Sequence, residues 1–174
     1  MMIAGCKSEE VEKAISLFDN DLQKIEIISC DMAAGYLKVC NEQLPDADIV
    51  IDKFHVMQYV YDAVLEVRTR IKKELSAKLS KGKHKTLEDK EMLFQLDLLK
   101  HSRYRLTQSP EKWNEAAKEV MELVFAQHPQ LEKAYKLAQY FKQWYHINNC
   151  IKSKSQNIVG LHRWYSAAKE SDIE

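Results

Sequence analysis

The sequence predicts a chain that begins as a mixed α/β fold, a short parallel βαβ unit, and continues as helices alone. Three observations carry this. Two short apolar, β-branched runs, residues 25–30 and 48–51, flank a helically spaced segment, all within about 30 residues. After residue 52 the strand signals stop, and apolar residues recur only at helical spacing. Glycine (4) and proline (3) are scarce among 174 residues, which excludes a turn-rich β-sandwich.

Ser8 can cap a first helix running to about Phe18, with Val11, Ala14, Ile15 and Phe18 on one face. Asp19-Asn20-Asp21 breaks it. Ile25 to Cys30 then suits a buried strand, with Asp31 at its C-terminal end. From Ala33 to about Gln43, Tyr36, Leu37 and Cys40 keep a helical period until Pro45 ends it. Asp48-Ile49-Val50-Ile51 is the second strand, followed by Asp52 as Asp31 follows the first. Crossover geometry makes the two strands parallel. Asp31 and Asp52 therefore share the sheet edge at which open α/β sheets place their ligands.

The helical part starts at Phe54. Met57, Val60, Tyr61, Val64 and Leu65 keep the period, and the helix is expected to reach about Leu79. Ser80 to Lys85 is a polar break around Gly82, and Leu87 to Leu106 is the next apolar-periodic stretch. Ser109-Pro110-Glu111 is expected to open a helix with serine as cap and proline at the first position, its face formed by Trp113, Ala117, Val120, Met121 and Val124. Pro129 marks the next junction. Leu131, Ala134, Tyr135, Ala138, Phe141 and Tyr145 line a further helix, and 158–168 form a last one. The domain division expected is 1–53 and 54–174.

Hydrophobic residues make up 45% of the chain, enough for a sizeable core and too many for wholesale disorder. The four cysteines, Cys6, Cys30, Cys40 and Cys150, form no CxxC pair and no zinc-ligand spacing, so they are expected reduced, with Cys30 buried in its strand. No apolar run approaches the roughly 18 residues of a membrane span, and no leader is visible. A cytoplasmic protein with no membrane partner is expected. The sequence lacks GxxxxGK[ST], GxGxxG, GxSxG and HExxH, which disfavours the matching nucleotide-binding, hydrolase and zinc-protease classes.

The formal charge is zero, from 26 basic and 26 acidic side chains, which on its own argues against a nucleic-acid partner. Its distribution argues otherwise. Residues 1–62 hold 5 basic and 12 acidic groups, a net of −7. Residues 68–85 carry Arg68, Arg70, Lys72, Lys73, Lys78, Lys81, Lys83 and Lys85 against Glu74 alone, a net of +7. Such a run can follow phosphates, with arginine for forked contacts and lysine for point charge, or it can be a solvated helix face. Paired carboxylates at a sheet edge can hold a divalent cation, the plainer reading being that each aspartate caps the next helix. His55 lies one turn beyond Asp52, as a ligand or as a structural histidine. Trp113, Tyr135, Phe141, Trp144 and Tyr145 fall at helical spacing and read as core rather than as a base-stacking platform.

Ile27 to Met32, ending in an aspartate-methionine pair, together with Leu44-Pro45-Asp46-Ala47-Asp48-Ile49-Val50-Ile51-Asp52-Lys53-Phe54-His55-Val56, strongly resembles the ISL-three family of bacterial insertion-sequence transposases. Two further stretches, Leu98 to Tyr104 and Leu131 to Tyr145 with its Ala134-Tyr135-Lys136-Leu137 centre, resemble it too, so the likeness covers nearly the whole chain. The resemblance implies a DDE transposase with an RNase H-like core, here a partial one, followed by an all-helical insertion. Asp31 matches the second catalytic aspartate and would be a metal ligand. The runs 25–30 and 48–51 match the fourth and fifth strands, and residues from Phe54 onward match the helical insertion.

In that family the acidic triad holds two divalent cations, Mg²⁺ or Mn²⁺, that activate water or a DNA 3′-hydroxyl. The partner implied is DNA, the transposon ends, with no small-molecule substrate and with homo-oligomers plausible through open sheet edges. Nothing here matches the first three strands, their aspartate or the glutamate motif Glu-Gly-x-Asn. The chain is therefore expected to be a fragment of the enzyme, to hold no metal by itself and to be inactive alone. Asp52 and His55 are expected to orient or cap. Two other classes stay open: a non-catalytic helical module binding DNA or another protomer, and a receiver-like domain with Asp31 as phosphoacceptor, weakened by the absence of later strands.

Overall fold

A computed structural model describes residues 8–17, 22–79, 86–148 and 154–173. The chain forms two compact units, Met1–Tyr59 and Val60–Glu174.

In the first unit, helix α1 (Ser8–Ser16), a 3-10 turn at Leu22–Lys24, strand β1 (Ile27–Cys30), helix α2 (Ala34–Gln43) and strand β2 (Asp48–Ile51) follow in order. The strands pair in parallel, with Ile27 opposite Asp48 and Cys30 opposite Ile51, as the crossover argument requires. Pro45 cannot continue α2, so the Leu44 amide turns back to the Cys40 carbonyl at 2.9 Å and β2 begins three residues on. Ile15, Val39 and Leu44 form the core, with Val11, Leu22, Ile25, Ile28 and Ala47 packed against it.

The strands are not buried on both faces, as a largely apolar run suggests. Exposure alternates along each, leaving Ile27 64% and Val50 47% exposed while Ile28 and Ile49 are half-buried. Cys30 is likewise half-buried rather than buried, and burial beside the Cys40 thiol raises its pKa. Helices cover one face of this two-stranded sheet, so the period of two governs exposure, and the open face carries Ile27, Ser29, Asp48 and Val50.

Helix α3 (Lys53–Lys78) begins in the first unit. In the second unit its remaining turns are followed by α4 (Leu87–Ser102), 3-10 turns at Arg105–Thr107 and Pro110–Lys112, α5 (Glu115–Gln127), α6 (Pro129–Asn148) and α7 (Lys154–Glu170). Mixed α/β followed by helices alone is thus the architecture. Along α3, Val60, Val64, Val67, Ile71 and Leu75 recur at helical spacing and pack with Leu98, Leu99, Leu106, Met121, Val124, Leu131 and Tyr135. A capping box starts α4: the Asp89 amide donates to Thr86 Oγ1 at 3.0 Å, and the Thr86 amide donates to Asp89 Oδ2 at 2.9 Å.

Two expectations at the next junction need correction. α4 stops at Ser102 rather than near Leu106, and Ser109, with Pro110 at the first position, opens only a 3-10 turn, Pro110–Lys112, its hydroxyl making no cap bond and accepting instead from the Lys142 ammonium. Asn114 is the cap of α5, its Oδ1 accepting from the Ala117 amide at 2.9 Å. Trp113 therefore precedes that helix and stacks on Tyr135 at a centroid distance of 5.4 Å. The aromatics pack on one another, Trp113 with Phe125 and Tyr135, and Phe141 with Trp144, Tyr145 and Trp164. The expected break at Asp19–Asp21 and the basic Lys81, Lys83 and Lys85 lie outside the described residues.

Candidate functional site: a strand-end aspartate pair and a basic helix

Because Cys30 pairs with Ile51, Asp31 and Asp52 stand side by side at the C-terminal ends of adjacent strands, and the Asp52 amide donates to the Cys30 carbonyl at 2.8 Å. Their environments differ. Asp31 Oδ1 accepts from the Ala33 amide at 2.8 Å, closing the turn into α2, whereas Oδ2 meets no donor among the described residues. Asp52 uses both oxygens. Oδ1 accepts from the Phe54 amide at 2.9 Å and Oδ2 lies 3.0 Å from His55 Nδ1, so the carboxylate caps α3 where the helix dipole favours a negative charge. The Phe54 amide, and after it His55, hold the Asp52 carboxyl below its ordinary pKa. Asp31 thus has one oxygen without a donor among the described residues, while both oxygens of Asp52 are engaged at the start of α3.

A hard divalent cation takes about six oxygen ligands. Among the described residues no group of three or more His, Cys, Asp or Glu side chains converges in a way that holds a metal.

The basic run does not form one stripe. At about 100° per residue, the cations of a helix spread around its axis. Arg68 falls among Val64, Val67 and Ile71 on the core side and is 8% exposed, its Nε donating to the Leu99 carbonyl at 2.8 Å. Arg68 is therefore not an open surface cation, as the charge count suggested. Arg70 is half-buried, and Lys72, Lys73 and Lys78 are exposed. Arg68, Arg70 and Lys73 line an open cleft of about 810 Å³ together with Arg103 from the end of α4. Burial, and then the like charge of Arg103, lower the Arg68 pKa. Arg103 was not among the residues the charge run singled out. Its signal in the sequence was the stretch Leu98 to Tyr104, read as family likeness and not as chemistry.

Lys78 lines a different cleft, with Gln95, Gln127 and Gln130. Among the described residues no helix is long and apolar enough to cross a membrane.

None of the curated proteins and none of the solved structures matches the chain. A family model of the ISL-three DDE transposases, described as a transposase, matches residues 1–174. That match spans the whole length and takes in the strand-end aspartates and the helical region alike: the chain belongs to the ISL-three family of DDE transposases.

Proposed function

We propose that this chain contributes the second catalytic aspartate, Asp31, and a DNA-contacting helical region to a transposase that cleaves and joins DNA strands at transposon ends. The observation that carries the reading is the parallel pair of strand ends, where Asp31 keeps Oδ2 open while Asp52 is held by Phe54 and His55. The fold around Asp31 is read as part of an RNase H-like core and the helices from α3 onward as its insertion.

In the intact enzyme, Mg²⁺ or Mn²⁺ supplies Lewis-acid stabilisation of the reacting oxygens. Since the described residues do not complete that centre, no step of the reaction is assigned to this chain alone. Asp31 would be the ligand, with Asp52 and His55 fixing the entry of α3 beside it. Lys72, Lys73 and Lys78, with Lys81, Lys83 and Lys85, are assigned to phosphate contacts, and the working compartment to the cytoplasm, with self-association open.

Two measurements test this. The purified chain with supercoiled plasmid and Mg²⁺ should give no nicking; Mg²⁺-dependent nicking that disappears in Asp31→Ala would show that the chain is catalytic by itself. The same chain should bind duplex DNA with a salt slope that falls when Lys72, Lys73 and Lys78 are changed to glutamine. An unchanged slope removes the phosphate contacts.

A further inference from the structure

A guanidinium carries five N–H donors. Arg68 spends its Nε on the Leu99 carbonyl, and its Nη groups have no hydrogen bond and no ion pair among the described residues. The side chain is 8% exposed and lines the cleft that Arg103 also lines. Buried charges are ordinarily paired with an opposite charge. The carbonyl end of α4 offers only about half a negative charge, against two guanidinium groups. Asp62, Glu66 and Glu74 line the same cleft, yet none of them is ion-paired with Arg68 or Arg103. Arg68 and Arg103 thus line one cleft without a carboxylate bonded to either among the described residues, and Lys73 lines it as well.

We propose that Arg68 and Arg103 form a seat for one backbone phosphate of DNA, in the cleft between the middle of α3 and the end of α4. Two planar forks suit the oxygens of a phosphodiester, and the adjacent Lys73 suits the next phosphate along the strand. The proposal rests on the DNA-binding reading above and deepens it with a residue outside the basic run.

The test is fluorescence anisotropy of a labelled random-sequence duplex with the full chain across a KCl series. Arg103→Gln, at an exposed position, should weaken binding about 3- to 10-fold at fixed salt and lower the salt slope by about one, with its melting curve unchanged. Arg103→Lys should keep the slope and recover part of the affinity. Inorganic phosphate should raise the melting temperature of the parent chain and not of Arg103→Gln. If Arg103→Gln binds DNA like the parent while the Lys72, Lys73 and Lys78 glutamine variant binds more weakly, the seat is wrong and the DNA reading stands. Phosphate stabilisation without any DNA binding overturns the nucleic-acid occupant, and with it that reading.

Discussion

The Nε–H of Arg68 donates to the carbonyl oxygen of Leu99 at 2.8 Å, and the Ser102 hydroxyl donates to the same oxygen at 2.9 Å. Leu99 lies in the last turn of α4, where carbonyls have no partner within their own helix. A cation there also meets the negative end of the helix dipole. Arg68 reaches that end because it occupies a core-side position of α3, among Val64, Val67 and Ile71. Arg105 does the same for another carbonyl of that turn, its Nη1 donating to the His101 carbonyl at 2.6 Å.

Arg68→Met keeps the aliphatic stem and removes the donor. Because Ser102 still serves the Leu99 carbonyl, the expected loss is about 1 kcal/mol, measured by urea unfolding. Lys72→Gln and Lys73→Gln, at exposed positions, should stay within about 0.5 kcal/mol. Equal effects at all three positions would contradict the structural role of Arg68.

Asp52→Ala removes the cap of α3 and should destabilise the chain, with Asp52→Asn costing less. The folded-state pKa of Asp52 lies below its unfolded value, so its contribution is present above about pH 3.9 and is lost as pH falls through the folded value. A urea series from pH 7 to pH 3 on both variants checks this: the stability gap between Asp52→Ala and the parent should close towards acid.

Gly160 sits in α7 against the indole of Trp144. A methyl group there would lie 2.5 Å from Nε1 and 2.6 Å from Cδ1. Alanine gains about 0.5–1 kcal/mol in a helix interior, whereas overpacking a rigid ring costs about 1–3 kcal/mol. Steric cost wins. Gly160→Ala should lower stability and shift the tryptophan emission, as the bond from Trp144 Nε1 to the Asn157 carbonyl, 3.2 Å, is displaced.

His128 joins α5 to α6, its amide donating to the Val124 carbonyl and its own carbonyl accepting from Leu131. His128 is 8% exposed, its Nε2 has no hydrogen-bond partner among the described residues, and burial lowers its pKa. The folded protein therefore takes up this proton later than the unfolded chain. Stability from this group is complete above about pH 6.5 and declines below it, by no more than about 1.4 kcal/mol per pH unit. Thermal melts between pH 7 and 5 should show a flatter profile for His128→Gln than for the parent.

How far the sequence reaches is clearest at the two strands. Their positions and parallel pairing follow from apolar runs, Pro45 and crossover geometry, all local properties of the chain. The same runs suggested burial on both faces, and that failed because coverage depends on how many helices reach the sheet. Ser109 and Pro110 open a 3-10 turn rather than α5 for a related reason: Lys142, 33 residues away, engages the serine hydroxyl, and Asn114 caps the longer helix.

By itself the sequence determined the alternation of two strands with helices, the shared edge of Asp31 and Asp52, and the charge asymmetry along the chain, because periodicity and crossover handedness are properties of short segments. Only the tertiary structure decided that both oxygens of Asp52 serve the start of α3 while one oxygen of Asp31 has no donor among the described residues, that Arg68 points inward to Leu99, and that Arg103 joins it at one cleft. Which oxygen is occupied, and which cation is buried, depends on contacts between helices that are distant in sequence, and a count of charges carries no information about the side of the helix on which each one lies.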